Sequence, residues 1–260
     1  MAKKKDEQQE MQPLVVERGR VRFAVLGETA LVFNRQTEKV KQGLLLPKGR
    51  MTQAEKQGHL KHDVYGEFFD SPYTLEDPTA PTLLCVKSSA FKGAIASAAI
   101  DMPGMQKAQI GRLVYVPGDM VPVYGIPELK MDTVIQAGIS HAPDVRTRAA
   151  VKQWACFVDV LFICPLITDT AVAHLLAAGG MFIGIGDGRP QKGKLNHGQF
   201  TCVEPSDPRF VAVLKGGGRA AQEAAMKSPK PYDRESADLW AWFRDEVVRR
   251  GRSKQVTIQG

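Results

Sequence analysis

The segment Gly184-Ile185-Gly186-Asp187-Gly188-Arg189-Pro190-Gln191-Lys192-Gly193-Lys194 sets four glycines among three cations. Glycine tolerates positive φ and lets an anion come close to backbone N–H groups. Arg189, Lys192 and Lys194 would add charge-assisted contacts to the same anion. The chemistry this spacing suits is phosphate binding. Phosphoryl transfer is a poorer fit. Gly188–Lys194 matches G-x-x-x-x-G-K by letter, but Leu195 stands where a Mg²⁺-binding hydroxyl belongs, and Pro190 interrupts the loop. The G-x-G-x-G spacing of Gly184, Gly186 and Gly188 also differs from the dinucleotide fingerprint. A plain surface hairpin is the competing reading.

Further cations lie at spacings that would put them on shared faces. Arg146 and Arg148 alternate, as do Arg20 and Arg22, so each pair would face one side of a strand. On an open face such arginines suit phosphates. Asp144 and Asp159 offer the Arg146/Arg148 pair a structural ion-pair role instead. Lys92 and Gly93 sit in the first turn of an expected helix, where a cation opposes the helix dipole unless an anion is near. Lys48, Arg50 and Lys56 fall in a long irregular stretch that could wrap a backbone.

Acid–base and metal chemistry have less support. His59, His62 and Asp63 form the one histidine cluster, and His141 with Asp144 is a second candidate pair. His174 reads as a packed or capping residue. There is no G-x-S-x-G, and no cysteine neighbours a histidine. Cys85, Cys156, Cys164 and Cys202 form no C-x-x-C pair, which argues against a zinc ribbon and a disulfide scaffold. No cofactor or metal is expected.

The charge of +7 is uneven. Residues 1–61 carry a net +6, residues 62–180 a net −4 and residues 181–260 a net +5. Two basic ends around a mildly acidic middle suit a polyanion partner. No run approaches ~18 apolar residues, so no membrane span is expected. The opening MAKKKDEQQEMQP has no apolar stretch of a secretory signal, and a cytoplasmic location is expected.

The elements that would carry these residues follow from periodicity. Residues 1–13 read as a disordered arm, and residues 14–33 alternate as a half-buried strand. Residues 34–81, rich in Gly and Pro, read as a long insertion with a short helix near 51–61. A buried strand over 82–87 leads into a helix capped by Ser88 or Ser89 that ends before Pro103. Two strands joined at Pro117-Gly118, a further segment at 130–136, and strands over 145–152 and 154–163 follow, so the second hairpin is enlarged. Thr168 or Asp169 caps a second helix closed by Gly179-Gly180, then MFIGI reads as a strand. GQFTCV is a further strand, 204–232 a linker, and 234–250 a helix with Leu239, Trp242, Phe243 and Val247 on one stripe. The core order, β-α-β-β-α-β, predicts an α+β, ferredoxin-like fold over 14–203.

Phe91-Lys92-Gly93-Ala94 opening the first helix, Gly179-Gly180 followed by Gly184-Ile185-Gly186, the basic loop and Gly198-Gln199-Phe200 together resemble the repeat-associated RNA-binding (RAMP) superfamily. Within it the likeness is to the backbone subunit of CRISPR effector complexes and to related phage and mobile-element proteins. The resemblance implies a modified RNA-recognition-motif fold with a long loop insertion over 34–81 and a protruding hairpin over roughly 115–150. It implies a non-enzymatic subunit that stacks head-to-tail with its own copies, and with other effector subunits, along single-stranded RNA. Gly184, Gly186, Arg189, Lys192, Lys194, Lys92 and Gly93 would then grip phosphates. The aromatic signatures of ordinary RNA-recognition motifs are absent, which leaves backbone recognition dominant. Some relatives cut RNA with an aspartate, for which Asp63 and Asp119 are the candidates. Three alternatives stand beside this reading: a phage single-stranded DNA-binding or annealing protein, a metal-dependent nuclease using His59, His62 and Asp63, and an adaptor docking through Trp240, Trp242 and Phe243.

Overall fold

A computed structural model describes residues 14–36, 41, 45, 62–135, 143–192 and 195–250. Its first half holds β1 (Glu17–Gly27), β2 (Leu31–Val32), α1 (Val64–Asp70), β3 (Tyr73–Thr74), β4 (Leu84–Lys87), α2 (Ser88–Ala98), α3 (Lys107–Leu113) and β5 (Val114–Tyr115). There follow β6 (Met120–Pro122), β7 (Pro127–Ile135), β8 (Pro143–Val151), β9 (Ala155–Cys164), α4 (Asp169–Ala178) and β10 (Phe200–Val203). Three helices close the described chain: α5 (Pro208–Gly216), α6 (Arg219–Lys227) and α7 (Arg234–Arg249). The architecture is α+β with antiparallel sheets. No helix among the described residues is long and apolar enough to cross a membrane.

The principal sheet has the strand order β10-β1-β9-β5. Alternation builds it. Val21, Phe23 and Val25 of β1 and Cys156, Val158, Val160 and Phe162 of β9 face the main core. The helices α2 and α4 fill that core from behind with Phe91, Ile95, Val172, Leu175 and Leu176. Each fully buried side chain of this size contributes about 1.5–3 kcal/mol. The small residues of α2 admit a close neighbour: a Cβ on Gly179 would lie 3.0 Å from the Ala94 carbonyl. Trp154 is completely buried, with its indole N–H donating to the Thr29 carbonyl at 2.9 Å. Its ring meets Phe200 edge-on, and Phe200 meets Phe91 likewise, which locks β10 onto α2.

The opposite face of the sheet is only half covered. Phe210 of α5 packs on Ala24, Leu26 and Ala155. Beyond them toward the start of β1, Arg18, Arg20 and Arg22 stand exposed.

The second sheet, β2-β8-β7, carries a long hairpin whose strands pair from Pro127↔Val151 to Ile135↔Pro143. The hairpin expected over 115–150 is therefore built from 127–151. Met120–Pro122 pairs with β4 in the third sheet, and Val114–Tyr115 pairs with β9, so these two strands form no hairpin with each other.

Several other expectations change. MFIGI is no strand: Gly179–Ile183 continues α4 as a π turn, because Gly180 has no Cβ to strike the Phe200 carbonyl. The stretch 204–232 is no linker. Asp207 caps α5 by accepting from the Arg209 and Phe210 amides, with Pro208 at the helix start, and α6 follows after Gly217-Gly218. Within the expected insertion, α1 and β3 form. The helix expected near 51–61 and the arm 1–13 lie outside the described residues. The cap position of α2 is Lys87, without a side-chain cap, in place of Ser88 or Ser89. On α7 Leu239 and Phe243 pack on the core and Val247 is buried, as expected, but Trp240 takes the buried place expected of Trp242, which is exposed. His174, expected to pack or cap, is also exposed.

Candidate nucleic-acid interface

Arg18, Arg20 and Arg22 share one face of β1 because the strand repeats every two residues. The Arg22 guanidinium lies 4.5 Å from the Phe157 ring centre, and Phe157 packs edge-on against Phe210. That contact holds Arg22 against the ring, and Arg22 has no ion-pair partner among the described residues. Arg20 lies 3.4 Å from Asp159, yet its side chain remains 66% exposed, so the pair is weak and solvent-screened.

Where β5 and β9 meet α2 and α3, a cleft of about 470 Å³ opens. Arg18, Lys92 and Arg112 border it, Leu161 and Ile163 contribute apolar surface, and Tyr115 stands at the edge strand. Among the described residues no carboxylate lines it. None of its three cations has an ion-pair partner among the described residues. Three like charges around one concavity repel each other and focus a positive potential that an anion would relieve. Gly93 beside Lys92 is exposed and has open space where a Cβ would stand, so the approach along α2 is unobstructed.

The glycine loop has a different local purpose. The N–H groups of Gly184, Ile185 and Asp187 donate to the carbonyls of Gly179, Gly198 and Val32 at 2.8, 3.0 and 2.9 Å. Gly198, at φ +69°, admits this fold-back: a Cβ there would lie 1.8 Å from the Ile185 carbonyl. The positive-φ residues Gly184 and Gly186 thus fold the loop onto itself and onto β2, and those three amides are committed internally. Arg189 donates to the Gly186 carbonyl at 3.0 Å. Lys192 is exposed in the turn Pro190–Lys192. Neither lines the cleft, so the loop cations and Lys92 form separate patches. Lys194 lies outside the described residues, as do Lys48, Arg50, Lys56, His59 and His141.

On the hairpin Arg148 is ion-paired, but with Asp187 in place of the expected Asp144 or Asp159, the latter of which instead lies beside Arg20. Arg148 pairs with Asp187 at 2.7 Å and is mostly buried, and Arg146 lies 3.7 Å from Asp144. Lys130 pairs with Asp132 on the neighbouring strand. The tight Arg148–Asp187 pair makes Arg148 a poor phosphate ligand and fixes the hairpin base to the glycine loop, whereas Arg146 remains 45% exposed beside an Asp144 that His62 also engages. Sequence reasoning missed Arg18 and Arg112. Arg18 carried a signal, the same strand parity as Arg20 and Arg22. Arg112 carried none, because α3 starts without a capping side chain.

His62 bridges two carboxylates, with Nδ1 2.7 Å from Glu67 and Nε2 2.9 Å from Asp144. Glu67 also accepts the Thr147 amide, so the triad clamps α1 to β8. Asp63 caps α1 by accepting the Gly66 amide. Asp119 is exposed, with its carbonyl accepting the Ser88 amide. No group of three or more His, Cys, Asp or Glu residues able to hold a metal occurs among the described residues. The hydrogen bond to Glu67 is the largest influence raising the His62 pKa above 6.5, with Asp144 adding to it and burial opposing it. Protonation therefore favours the folded state. The clamp's contribution is complete below 6.5 and declines as pH rises through the raised folded value. Thermal melts should show greater stability at pH about 6 than at about 8.5, and His62→Gln should narrow that difference. An unchanged pH dependence in the variant would remove the clamp from the account.

Burial pushes the thiols of Cys85 and Cys202 up to about 11 and that of Cys156 higher still, so none of these is an activated nucleophile. No family model matches the chain, and no curated protein matches it.

Proposed function

We propose that this protein binds single-stranded nucleic acid, RNA in the first instance, through backbone phosphates. The carrying observation is the cleft bordered by Arg18, Lys92 and Arg112, with no carboxylate among the described residues of its lining and Arg20 and Arg22 continuing along the same strand face. Such a surface attracts a polyanion by counterion release and reads no base edge. We further propose that the core is a ferredoxin-like variant of the RNA-recognition motif. The sheet order β10-β1-β9-β5, with α2 between β1 and β5 and α4 between β9 and β10, supports it. The β7–β8 hairpin supports the RAMP likeness, and with it a non-enzymatic subunit repeating head-to-tail along an RNA strand beside other effector subunits. His62 and Asp63, spent on the clamp and the cap, give the nuclease reading no support.

Gel retardation of single-stranded RNA at ~50 mM salt, where phosphate contacts are strong, tests the proposal. Retardation that weakens steeply with salt and varies little with sequence is the expected outcome, and no retardation overturns it. Competition by DNA of the same sequence separates an RNA-binding subunit from a phage DNA-annealing protein, because only the former could use the 2′-hydroxyl.

A further inference from the structure

Tyr115 is 52% exposed on the edge strand β5, opposite Leu161 in register. Its neighbour Val114 points the other way and is buried, so the strand spends its apolar residue on the core and presents the aromatic ring outward. Three other tyrosines have their rings engaged inside the protein. Tyr65 packs on Trp240, Tyr73 sits beneath Arg35 and Lys87, and Tyr232 beneath Lys130 and Lys152. Among the described residues Tyr115 has no aromatic or cationic partner of this kind. It lines the same cleft as Arg18, Lys92 and Arg112, beside Leu161 and Ile163.

An unengaged aromatic ring, an adjoining apolar surface and surrounding cations match the parts of one nucleotide. The ring offers a flat surface to a base, and the cations reach the phosphates on either side. We propose that Tyr115 stacks a single unpaired nucleobase while Arg18, Lys92 and Arg112 hold its flanking phosphates. This rests on the phosphate-binding reading above and narrows it: the preferred ligand is a strand with bases free to stack, so duplex is a poor competitor. Stacking tolerates any base, so sequence preference stays small.

The full chain is titrated with a single-stranded oligouridylate and with an abasic strand of equal length and charge. Wild-type protein should bind the base-bearing strand about tenfold more tightly. Tyr115→Ala should lose that preference while keeping its affinity for the abasic strand, and Tyr115→Phe should retain both. Equal binding of the two strands by wild-type protein overturns the stacking proposal and leaves the phosphate reading standing, a comparison that needs no variant to fold. A preference that survives Tyr115→Ala in a protein with an unchanged melting curve overturns it as well. Failure to bind either strand at low salt overturns both.

Discussion

Replacing Arg18, Lys92 and Arg112 together with alanine should lower affinity for single-stranded RNA at ~50 mM salt by about two orders of magnitude or more. Each phosphate contact on a single strand contributes roughly 0.7 to the slope of log affinity against log salt. At ~50 mM that is close to a tenfold gain per contact, and three contacts multiply. The slope should become shallower by about 2 in the triple variant. The three side chains border the cleft and hold no ion pair among the described residues, so their loss leaves no stranded charge in the fold. Arg148→Ala is the contrasting variant. It breaks the pair with Asp187 and should reduce stability while leaving the salt slope alone. If Arg148→Ala flattens the slope and the triple variant does not, the cleft is the wrong site.

Gln222→Leu should destabilise the protein by about 3 kcal/mol or more, read from urea unfolding. The Gln222 side chain is completely buried. Its oxygen accepts the amides of Leu83 and Leu84 at 2.7 and 3.0 Å, and its two amide hydrogens are shared among the carbonyls of Val123, Gly125 and Gly217. One side chain from α6 thus satisfies backbone groups at β4, after β6 and after α5. Leucine would fit the space and abandon those groups; the Gly217 carbonyl keeps the Gly125 amide, and each buried group left stranded costs about 1–3 kcal/mol. Gln222→Glu keeps the shape but turns an oxygen toward the three carbonyls. That carboxyl would be driven to its neutral form, with its folded pKa raised. The Gln222→Glu protein should therefore be most stable at acid pH and lose stability as pH rises through that folded value. Unfolding free energies for both variants within about 0.5 kcal/mol of wild type would show that the network contributes nothing net.

Strong local periodicity made much of the fold readable. The alternation of Val21, Phe23 and Val25 marked β1, the apolar run at 154–163 marked β9, and Thr168 marked the start of α4. Composition misled where tertiary contacts decided. Met181, Phe182 and Ile183 favour a strand by propensity, yet Gly179 and Gly180 let the chain press against Ala94 and Phe200 and stay helical. Pro208 and Gly217-Gly218 resembled linker punctuation, but they are a helix start and the break between two helices. Gln222 gave no sign, because a single glutamine in a short helix is indistinguishable from a solvated one until its partners are placed. For the site, strand parity exposed Arg20 and Arg22. That Arg148 belongs to Asp187, and that the glycine loop spends amides on β2, depended on contacts between segments distant in the chain.

The three tryptophans occupy three environments. Trp154 is sealed in the core, Trp240 is buried on α7 beneath Arg244, and Trp242 projects 62% exposed from the same helix. A dissolved collisional quencher such as iodide therefore reaches one indole in three while the chain is native. Loosening of α7 alone would make a second indole quenchable before the emission of Trp154 shifts. Steady-state fluorescence, with no label added, thus separates release of the terminal helix from collapse of the sheet.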